Sequence, residues 1–282
     1  TTRMPPTVIT DAPDVLLRAI AAVTAARNEG SPGILGMHVE GPFLDLVRKG
    51  AHDETFIREM ASADIEQLAA ADCGRLMLTV APNRVSPAMV AELARRGILV
   101  SLGHSEATFD EATAALAAGA RSFTHLFNAM SQLNGREPGM VGAALASAEA
   151  YIGIIADGHH IHLQALKIAL AAKQGGRFML VTDAMPTAAG GPDHFELQGR
   201  KVKVRQGKLL LADGTLAGSN LTMDAAVRHC VNQVGLPLET ALAMASRIPA
   251  EFLRLENRYG RIAPGFSASL VHLDNALNAR QT

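Results

Sequence analysis

Short apolar runs alternate with longer amphipathic runs along most of this chain, and this alternation restricts the fold more than any other feature. The apolar runs are rich in Val, Ile, Leu, Phe and Met and lack a clean two-residue period, which is typical of strands buried on both faces. Strands that alternate with helices predict an α/β fold with a parallel sheet. The seven predicted strands are Pro6–Thr10, Gly33–Glu40, Arg75–Ala81, Ile98–His104, Ser122–Asn128, Tyr151–Asp157 and Arg177–Asp183.

Several segments between these runs are rich in Ala and Leu and place charged residues at helical spacing. Thr108, followed three residues later by Glu111, predicts a capping box at the start of one helix. Gly30, Gly97 and Gly119 lie where three helices are expected to end. The four predicted helices are Asp14–Glu29, Pro87–Arg96, Asp110–Ala118 and Leu163–Lys173.

Two parallel architectures compete for such a pattern. Seven strands are one short of the eight that close a barrel. An open doubly wound sheet is the alternative, but its phosphate-binding Gly-x-Gly-x-x-Gly loop is missing.

The alternation ends at Pro186. Phe195–Val204 and Lys208–Ala212 then predict a β-hairpin, with Gln206 and Gly207 at its turn. Two helices and a strand-like tail follow, at Met223–Val234, Leu238–Leu255 and Gly260–Asp274.

Composition excludes several classes of function. Lys and Arg number 26 and Asp and Glu number 27, for a net charge of −1, so no general basic field exists for nucleic acid or an anionic membrane. Hydrophobic residues make up 48% of the chain, which excludes intrinsic disorder, and no apolar run is long enough to span a membrane. Cys73 and Cys230 both lie in helix-like stretches, so we expect a reduced, cytoplasmic protein.

Polar residues that could bind a metal occur at the ends of predicted strands. Glu40 and His104 end two predicted strands and His125 lies in the last residues of a third, and functional groups of parallel barrels collect at such ends. One carboxylate and two imidazoles form a plausible three-ligand set for Zn²⁺, and the same donors suit Fe²⁺, Co²⁺ or Mn²⁺. Such an ion polarises carbonyls and lowers the pKa of water. Each histidine could instead be a hydrogen-bonded core residue.

Other polar residues indicate acid–base and binding roles. Asp183 follows an apolar strand and could transfer protons as a general acid and base, although a helix N-cap or an ion pair would also explain it. In the sequence His160-Ile161-His162, we interpret His160 as a substrate contact and His162 as a surface residue at a helix start.

A cluster of basic residues offers a local site for an anion. The segment Arg48-Lys49-Gly50-Ala51-His52 follows a strand closely, and Arg136 lies in the loop after His125. Guanidinium groups and glycine-rich backbone are suitable phosphate contacts. A solvated loop is the alternative.

Taken together, these motifs resemble those of N-acetylglucosamine-6-phosphate deacetylases, which belong to the amidohydrolase superfamily. The match runs in order from about Pro6 to the end of the chain. The motifs are His38-Val39-Glu40-Gly41-Pro42-Phe43, Lys49-Gly50-Ala51-His52, Gly103-His104-Ser105, Thr124-His125-Leu126-Phe127-Asn128-Ala129-Met130, Arg136-Glu137-Pro138-Gly139, Ala156-Asp157-Gly158, Val181-Thr182-Asp183-Ala184-Met185 and Leu216-Ala217-Gly218-Ser219.

The resemblance implies a role for each matching residue. Glu40, His104 and His125 match the metal ligands, Asp183 matches the catalytic acid and base, and His160 matches the histidine that polarises or positions the acetamide. Matches to substrate-contacting segments are Ala51, His52, Asn128, Ala129, Arg136, Asp157, Gly158, His159, His160, Leu216, Ala217 and Gly218.

The resemblance also implies a fold, a (β/α)₈ TIM-type barrel with a small β-sandwich, usually in an oligomer. In the family, about a quarter of the protein precedes the strand that matches Pro6–Thr10, so the chain is expected to lack the first barrel strand and to retain remnants of the sandwich. We expect a barrel over residues 1–258, with a hairpin insertion at about 193–213, and a strand of the small domain within 259–282.

The resulting hypothesis is metal-dependent hydrolysis of N-acetyl-D-glucosamine 6-phosphate to D-glucosamine 6-phosphate and acetate. The expected partners are a small sugar phosphate and further copies of the chain, as a dimer or tetramer, without nucleic acid or membrane. Two alternatives stay open: an amidohydrolase acting on a different amide, and a non-catalytic sugar-phosphate-binding relative.

Overall fold

Parallel strands joined by helices form most of the first of two units in a computed structural model, which describes residues 1–173 and 175–280. This unit comprises Thr1–Ala150. Its strands are β1 (Thr7–Ile9), β2 (Gly36–Glu40), β3 (Arg75–Val80), β4 (Leu99–Leu102) and β5 (Ser122–Phe123). Its α-helices are α1 (Pro13–Asn28), α2 (Ser62–Ala69), α3 (Pro87–Arg95), α4 (Phe109–Ala117) and α5 (Gly139–Ala146). Two short 3₁₀ helices, Leu46–Arg48 and Glu54–Phe56, follow β2.

The five strands pair in parallel and in chain order, as the alternating pattern predicts. Ile9 of β1 lies opposite Glu40 of β2, which in turn lies opposite Thr79 of β3. Every residue of β2 is buried, and Leu78 and Val100 in the next strands have no exposed surface. Burial of both faces explains why the strands read as continuous apolar runs.

The helices of this unit begin and end mostly where expected. The Thr108 hydroxyl accepts a hydrogen bond from the backbone N–H of Glu111, and the Glu111 carboxylate accepts one from the backbone N–H of Thr108, which confirms the capping box. Two helices escaped prediction: α2 is short, and α5 is apolar almost throughout, so neither shows a long amphipathic period. Within the described ranges, no helix has the length and apolarity needed to cross a membrane.

The second unit, which begins at Tyr151, combines two parallel strands with a small antiparallel sheet. The parallel pair is β6 (Tyr151–Ile154) and β7 (Phe178–Leu180). The antiparallel sheet contains β8 (His194–Leu197), β9 (Arg200–Arg205), β10 (Lys208–Leu210) and β11 (Leu216–Ser219). The helices are α6 (Leu163–Ala172), α7 (Met223–His229), α8 (Leu238–Ala245) and α9 (Arg247–Phe252). A final antiparallel pair is β12 (His272–Leu273) and β13 (Ala279–Arg280).

The antiparallel sheet corrects the predicted hairpin in one respect. The turn at Gln206 and Gly207 is confirmed, since Arg205 and Lys208 pair across it. The strand predicted over Phe195–Val204 is wrong, because the chain reverses within it and forms β8 and β9. Gln198 and Gly199 adopt φ values of 51° and 72° at this reversal, a conformation that a continuous strand cannot contain.

Three further boundaries differ from the sequence-based expectation. The predicted helix Leu238–Leu255 is interrupted at Ser246, whose φ and ψ of −140° and −72° separate α8 from α9. The helix predicted over Met223–Val234 continues beyond α7 as a π-helical turn, Cys230–Val234. The predicted tail strand Gly260–Asp274 is confined to β12. Of the segment 259–282, residues 281 and 282 lie outside the described residues.

Candidate active site

Two left-handed turns carry the candidate histidine ligands out of the parallel sheet. His104 comes two residues after β4 with φ of 48°, and His125 two residues after β5 with φ of 32°. Non-glycine residues adopt this region at an energetic cost and concentrate at functional sites. The strand predicted over Ser122–Asn128 is therefore wrong beyond Phe123, because the chain turns to bring His125 inward.

The three predicted metal ligands lie together in the first unit. Oε1 of Glu40 is 3.2 Å from Nε2 of His104 and 3.2 Å from Nε2 of His125. The two Nε2 atoms are 3.0 Å apart. All three side chains are buried, so three strand ends place one carboxylate oxygen and two imidazole nitrogens within reach of a single ion.

The chemistry of this donor set fits a divalent metal ion. Burial alone would raise the pKa of the Glu40 carboxyl, but the imidazoles of His104 and His125 lower it well below its ordinary value. The carboxylate is therefore charged inside the protein, where a charge without a compensating partner is costly. Nδ1 of His104 donates to the backbone carbonyl of Arg48 at 2.9 Å, which leaves the lone pair of a neutral ring on Nε2, facing the other ligand atoms.

His52, a predicted substrate contact, packs against this cluster. Its ring meets that of His104 edge to face, with 4.5 Å between centroids, and its Nδ1 lies 2.9 Å from the Thr10 hydroxyl. Burial, followed by the nearby His104, lowers the pKa of His52 to about 3. His52 is therefore neutral at physiological pH and can contribute hydrogen bonds but no positive charge.

A chain of buried hydroxyl groups runs through the first unit from His38, and sequence reasoning missed it. Nε2 of His38 hydrogen bonds to the Thr79 hydroxyl at 2.8 Å, Thr79 to Thr124 at 2.8 Å, and Thr124 to Ser101 at 2.7 Å. A Cβ on Gly103 would come within 3.0 Å of both threonine side chains, so glycine is needed for this packing. Isolated Ser and Thr in apolar strands are the only sequence signal for such a network.

The basic loop after β2 has its cations paired with carboxylates. Arg48 forms an ion pair with Glu106, and Lys49 forms one with Glu54. Ala51 is half-buried beside them. These ion pairs neutralise part of the positive charge that the sequence analysis had predicted to bind a phosphate group.

The loop after His125 contains three further predicted contacts. Asn128 turns back on its own backbone, and its Nδ2 donates to the carbonyls of His125 and Leu126 at 3.2 and 3.1 Å. Ala129 has a φ of 49° and continues the left-handed turns. Arg136 is exposed in the loop that follows.

In the second unit, Asp157 and His160 form a close pair after β6. Oδ2 of Asp157 accepts from Nδ1 of His160 at 2.7 Å, and its Oδ1 accepts from the backbone N–H groups of His159 and His160, both at 2.8 Å. Burial opposes ionisation of Asp157, but the hydrogen bonds from His160 and the backbone lower its pKa to about 2. The carboxylate is therefore ionised and fixes both the orientation of His160 and a proton on its Nδ1. His162 is exposed at the start of α6, as predicted.

Two glycines in this region pack closely against histidine rings. A Cβ on Gly158, whose φ is 75°, would lie 3.2 Å from Cε1 of His229. A Cβ on Gly207 would lie 3.0 Å from Nε2 of His159. Sequence reasoning missed His229, because a single histidine near the end of an amphipathic helix carries no functional signal.

Asp183 follows β7 in a left-handed turn of its own, with φ of 49°. Its backbone carbonyl accepts from the N–H of Ser219 at 2.7 Å, which ties it to the end of β11. Gly218 packs on this turn, since a Cβ there would lie 2.9 Å from the Asp183 carbonyl oxygen and 2.5 Å from Met185. The predicted contacts Leu216, Ala217 and Gly218 therefore lie on a strand that is bonded to the Asp183 turn.

Comparison with known proteins decides the family. The amidohydrolase family model matches residues 7–281. This chain belongs to the amidohydrolase family. The predicted resemblance and the predicted hydrolase class are thereby confirmed.

Individual family members agree with this assignment. N-acetylgalactosamine-6-phosphate deacetylase from Shewanella sp. (strain ANA-3) is 42% identical, over 98% of this chain and 70% of that protein. N-acetylglucosamine-6-phosphate deacetylase from Vibrio furnissii is 36% identical, over 94% of this chain and 67% of that protein. The crystal structure of N-acetylglucosamine-6-phosphate deacetylase from Pasteurella multocida covers 99% of this chain, and the chain covers 73% of it, with a TM-score of 0.95 and 35% identity. The predicted α/β fold of a TIM-type barrel is confirmed, and the described residues form seven parallel strands.

Proposed function

We propose that this chain hydrolyses N-acetyl-D-glucosamine 6-phosphate to D-glucosamine 6-phosphate and acetate, in amino-sugar catabolism. The observation that carries the proposal is the buried convergence of Glu40, His104 and His125, in a chain whose relatives are named as deacetylases of amino-sugar 6-phosphates. A buried carboxylate facing two imidazoles is costly as a purely structural feature.

Glu40, His104 and His125 are the residues that would hold the metal ion, with Zn²⁺ as the first choice and Fe²⁺, Co²⁺ or Mn²⁺ as alternatives. When bound, such an ion supplies Lewis acidity toward a carbonyl oxygen and lowers the pKa of water. His104 presents Nε2 because its Nδ1 proton is held by the Arg48 carbonyl.

Asp183 and His160 are assigned the proton transfers and the orientation of the amide. The Asp183 carboxylate accepts a proton from the attacking water and returns it to the amide nitrogen as the C–N bond breaks. His160 positions the acetamide and, in the form that carries a proton on both ring nitrogens, donates from Nε2 toward the oxygen that becomes negatively charged. The Asp157 carboxylate supports this donation, because it stabilises positive charge on the ring.

Recognition of the sugar phosphate is assigned to the remaining predicted contacts. Arg136, with an exposed guanidinium group, is the proposed main phosphate contact, because Arg48 and Lys49 already face carboxylates. His52 is neutral and contributes hydrogen bonds. The other proposed contacts are Ala51, Asn128, Ala129, Asp157, Gly158, His159, Leu216, Ala217 and Gly218.

A second candidate substrate is N-acetyl-D-galactosamine 6-phosphate, and a specific observation favours it. The Shewanella relative, at 42% identity, is named for the galacto sugar, whereas the Vibrio relative, at 36%, is named for the gluco sugar. The two sugars differ only in the configuration at C4, so the metal and acid–base residues serve both equally.

Acetate release from each sugar phosphate by the metal-loaded protein tests the proposal. We expect turnover of at least one of the two epimers, and the ratio of their kcat/KM values identifies the substrate. Asp183→Asn should reduce kcat by about 10²–10⁴-fold, because it keeps the shape but removes the proton acceptor, while metal content is unchanged. Turnover of an unrelated amide instead would support another amidohydrolase activity, and sugar-phosphate binding without turnover would support a binding protein.

The variant Arg136→Ala distinguishes a role in phosphate binding from a role in the hydrolytic reaction. We expect KM for the sugar 6-phosphate to rise about 10-fold or more, as expected when a charge-assisted contact is lost, with little change in kcat. KM for the unphosphorylated N-acetyl sugar should stay constant. Equal increases for both sugars would contradict the assignment of Arg136 to phosphate.

The organisation of the protein completes the proposal. We assign residues 1–258 to the barrel, with the antiparallel insertion at about 193–213, and 259–282 to the small β domain. We also propose that the protein forms a homodimer or homotetramer and that it is cytoplasmic. Light scattering during size-exclusion chromatography tests the assembly, and fractionation of the source cells tests the location.

A further inference from the structure

A buried carboxylate beside the metal cluster has no role in the chemistry proposed above. Asp45 lies in the loop after β2 and is only 2% exposed. Its Oδ2 accepts from Nδ2 of Asn83 at 2.6 Å and from the backbone N–H of Glu106 at 3.3 Å. Its Oδ1 accepts from the backbone N–H of Val47 at 3.3 Å, with Arg84 at 3.5 Å. One side chain thus joins the segments that follow β2, β3 and β4.

The contacts of Asp45 lead directly to His104. The backbone N–H of Asp45 donates to the carbonyl of His104 at 2.9 Å. Its side chain caps the 3₁₀ helix Leu46–Arg48, and the carbonyl of Arg48, the last residue of that helix, accepts from Nδ1 of His104 at 2.9 Å. Asp45 therefore holds both the backbone of His104 and the group that its ring binds.

The Arg48 carbonyl determines what the His104 ring can do. A carbonyl oxygen only accepts hydrogen bonds, so Nδ1 must carry the ring proton and Nε2 of the neutral ring carries the lone pair. Nε2 is the atom that faces Glu40 and His125. If the 3₁₀ helix moved, water could accept or donate at Nδ1, and the other tautomer would become accessible.

The surrounding packing leaves little space for such movement. Gly50, with φ of 59°, allows the loop to approach His104, because a Cβ there would lie 3.3 Å from Cε1 of the ring. Asn83, in turn, is held by the Ser105 hydroxyl, which donates to its Oδ1 at 2.6 Å. The carboxylate of Asp45 is thus part of a preorganised shell around one ligand.

We propose that Asp45 is a positioning residue for His104, which sets the ring orientation and the Nδ1–H tautomer of this metal ligand through the Arg48 carbonyl. This inference rests on the proposed metal site but not on the identity of the substrate. Residues that orient metal ligands typically contribute 10–100-fold to metal affinity.

Zinc affinity, measured by competition with a chromophoric chelator, tests the proposal directly. Asp45→Ala removes every contact of the carboxylate. Asp45→Asn replaces one of two accepting oxygens with an NH2 group, which faces a hydrogen-bond donor in either orientation of the amide. We expect both variants to bind Zn²⁺ about 10–100-fold more weakly than the unaltered chain. Asp53→Asn is the matched control, since Asp53 caps the next 3₁₀ helix, Glu54–Phe56, and should leave the affinity within about twofold.

Two further measurements distinguish positioning from general destabilisation. The double variant Asp45→Asn/Asn83→Asp returns one carboxylate and one amide to the contact in reversed roles and should recover most of the zinc affinity. Two-bond ¹H–¹⁵N spectra of the metal-free protein should show the Nδ1–H tautomer of His104 in the unaltered chain and a mixture in Asp45→Asn. If Asp45→Ala does not fold, the Asn and double variants carry the test.

Each outcome decides the proposal. Zinc affinity in Asp45→Asn equal to that of Asp53→Asn, or an unchanged His104 tautomer, would overturn it. An unaltered chain that binds no Zn²⁺ would overturn the metal centre and this inference together. Full zinc binding without turnover of either sugar phosphate would overturn only the proposed function.

Discussion

His104 in the first unit and His160 in the second are held through the same ring atom by chemically different partners. Nδ1 of His104 donates to the neutral carbonyl of Arg48 at 2.9 Å. Nδ1 of His160 donates to the ionised carboxylate of Asp157 at 2.7 Å. Both partners hold a proton on Nδ1, but only the carboxylate places a negative charge beside the ring.

This difference separates a metal ligand from a hydrogen-bond donor. A ligand histidine must keep the lone pair on Nε2, and a carbonyl partner does so without stabilising a positive charge. A histidine that stabilises a developing negative charge benefits from a carboxylate, which supports positive charge on the ring. The two Nδ1 partners are therefore those expected for the proposed roles, with His104 as a metal ligand and His160 as a hydrogen-bond donor.

Glu40→Gln should have the largest effect, because it removes the charge that faces both ligand imidazoles. We expect loss of bound metal and a decrease in turnover of about 10³-fold or more, since Lewis-acid stabilisation is worth several kcal/mol. Metal analysis and initial rates measure both effects. The matched control is Glu66→Gln, an exposed glutamate on α2, and retained metal in Glu40→Gln would refute the ligand assignment.

Asp157→Asn should affect chemistry while leaving the metal in place. The substitution keeps the approximate shape but removes the charge that supports the His160 ring, so we expect kcat to fall about 10²-fold at unchanged metal content. Asp213→Asn is a suitable control, because Asp213 is exposed and accepts from the backbone of Thr215 at 2.9 Å. If Asp157→Asn lost metal as well, the distinction between the two histidines would fail.

Acid should reveal a small contribution of Asp157 to folding stability. Its pKa is lowered from 3.8 to about 2 in the folded protein, so the ionised form stabilises the fold above about pH 4 and this stabilisation is lost as pH falls through about 2. The side chain is only 9% exposed, and a lowering of the pKa from 3.8 to about 2 corresponds to about 2 kcal/mol. Urea unfolding of Asp157→Asn and the unaltered chain, at about pH 6 and about pH 2.5, measures the difference.

That difference should shrink at the lower pH. An equal gap between the two proteins at both pH values would show that the Asp157 contact contributes no stability linked to its ionisation. The carbonyl partner of His104 cannot ionise, so it adds no comparable dependence on pH.

Residue type and position predicted which side chains form the proposed metal cluster, but not the backbone conformation that brings them together. Glu40, His104 and His125 were recognisable because charged or titratable side chains follow apolar strands. The strand predicted through Asn128 was wrong, because the left-handed turn at His125 produces no change in the pattern of apolar and polar residues that the sequence could reveal. The reversal at Gln198 and Gly199 was missed because β8 and β9 share one alternating pattern.

The residues that support the proposed metal ligands could not be predicted from the sequence, for a different reason. Asp45, His38 and the hydroxyl groups of Thr79 and Thr124 each have at least one hydrogen-bond partner 30 or more residues away in the chain. No local spacing relates them. His229 likewise gains its position beside Gly158 only through the packing of a helix on a loop.

Periodicity and side-chain chemistry are properties of the chain, so they were enough to predict the parallel α/β class, the family and the three side chains of the proposed metal cluster. The group that each histidine contacts through Nδ1, in contrast, is set by the folded structure. Every residue carries a backbone carbonyl, so nothing in the sequence marks that of Arg48 as the partner of His104. The partner is selected when the loop after β2 folds against the end of β4, and that contact determines which ring nitrogen is available to a metal.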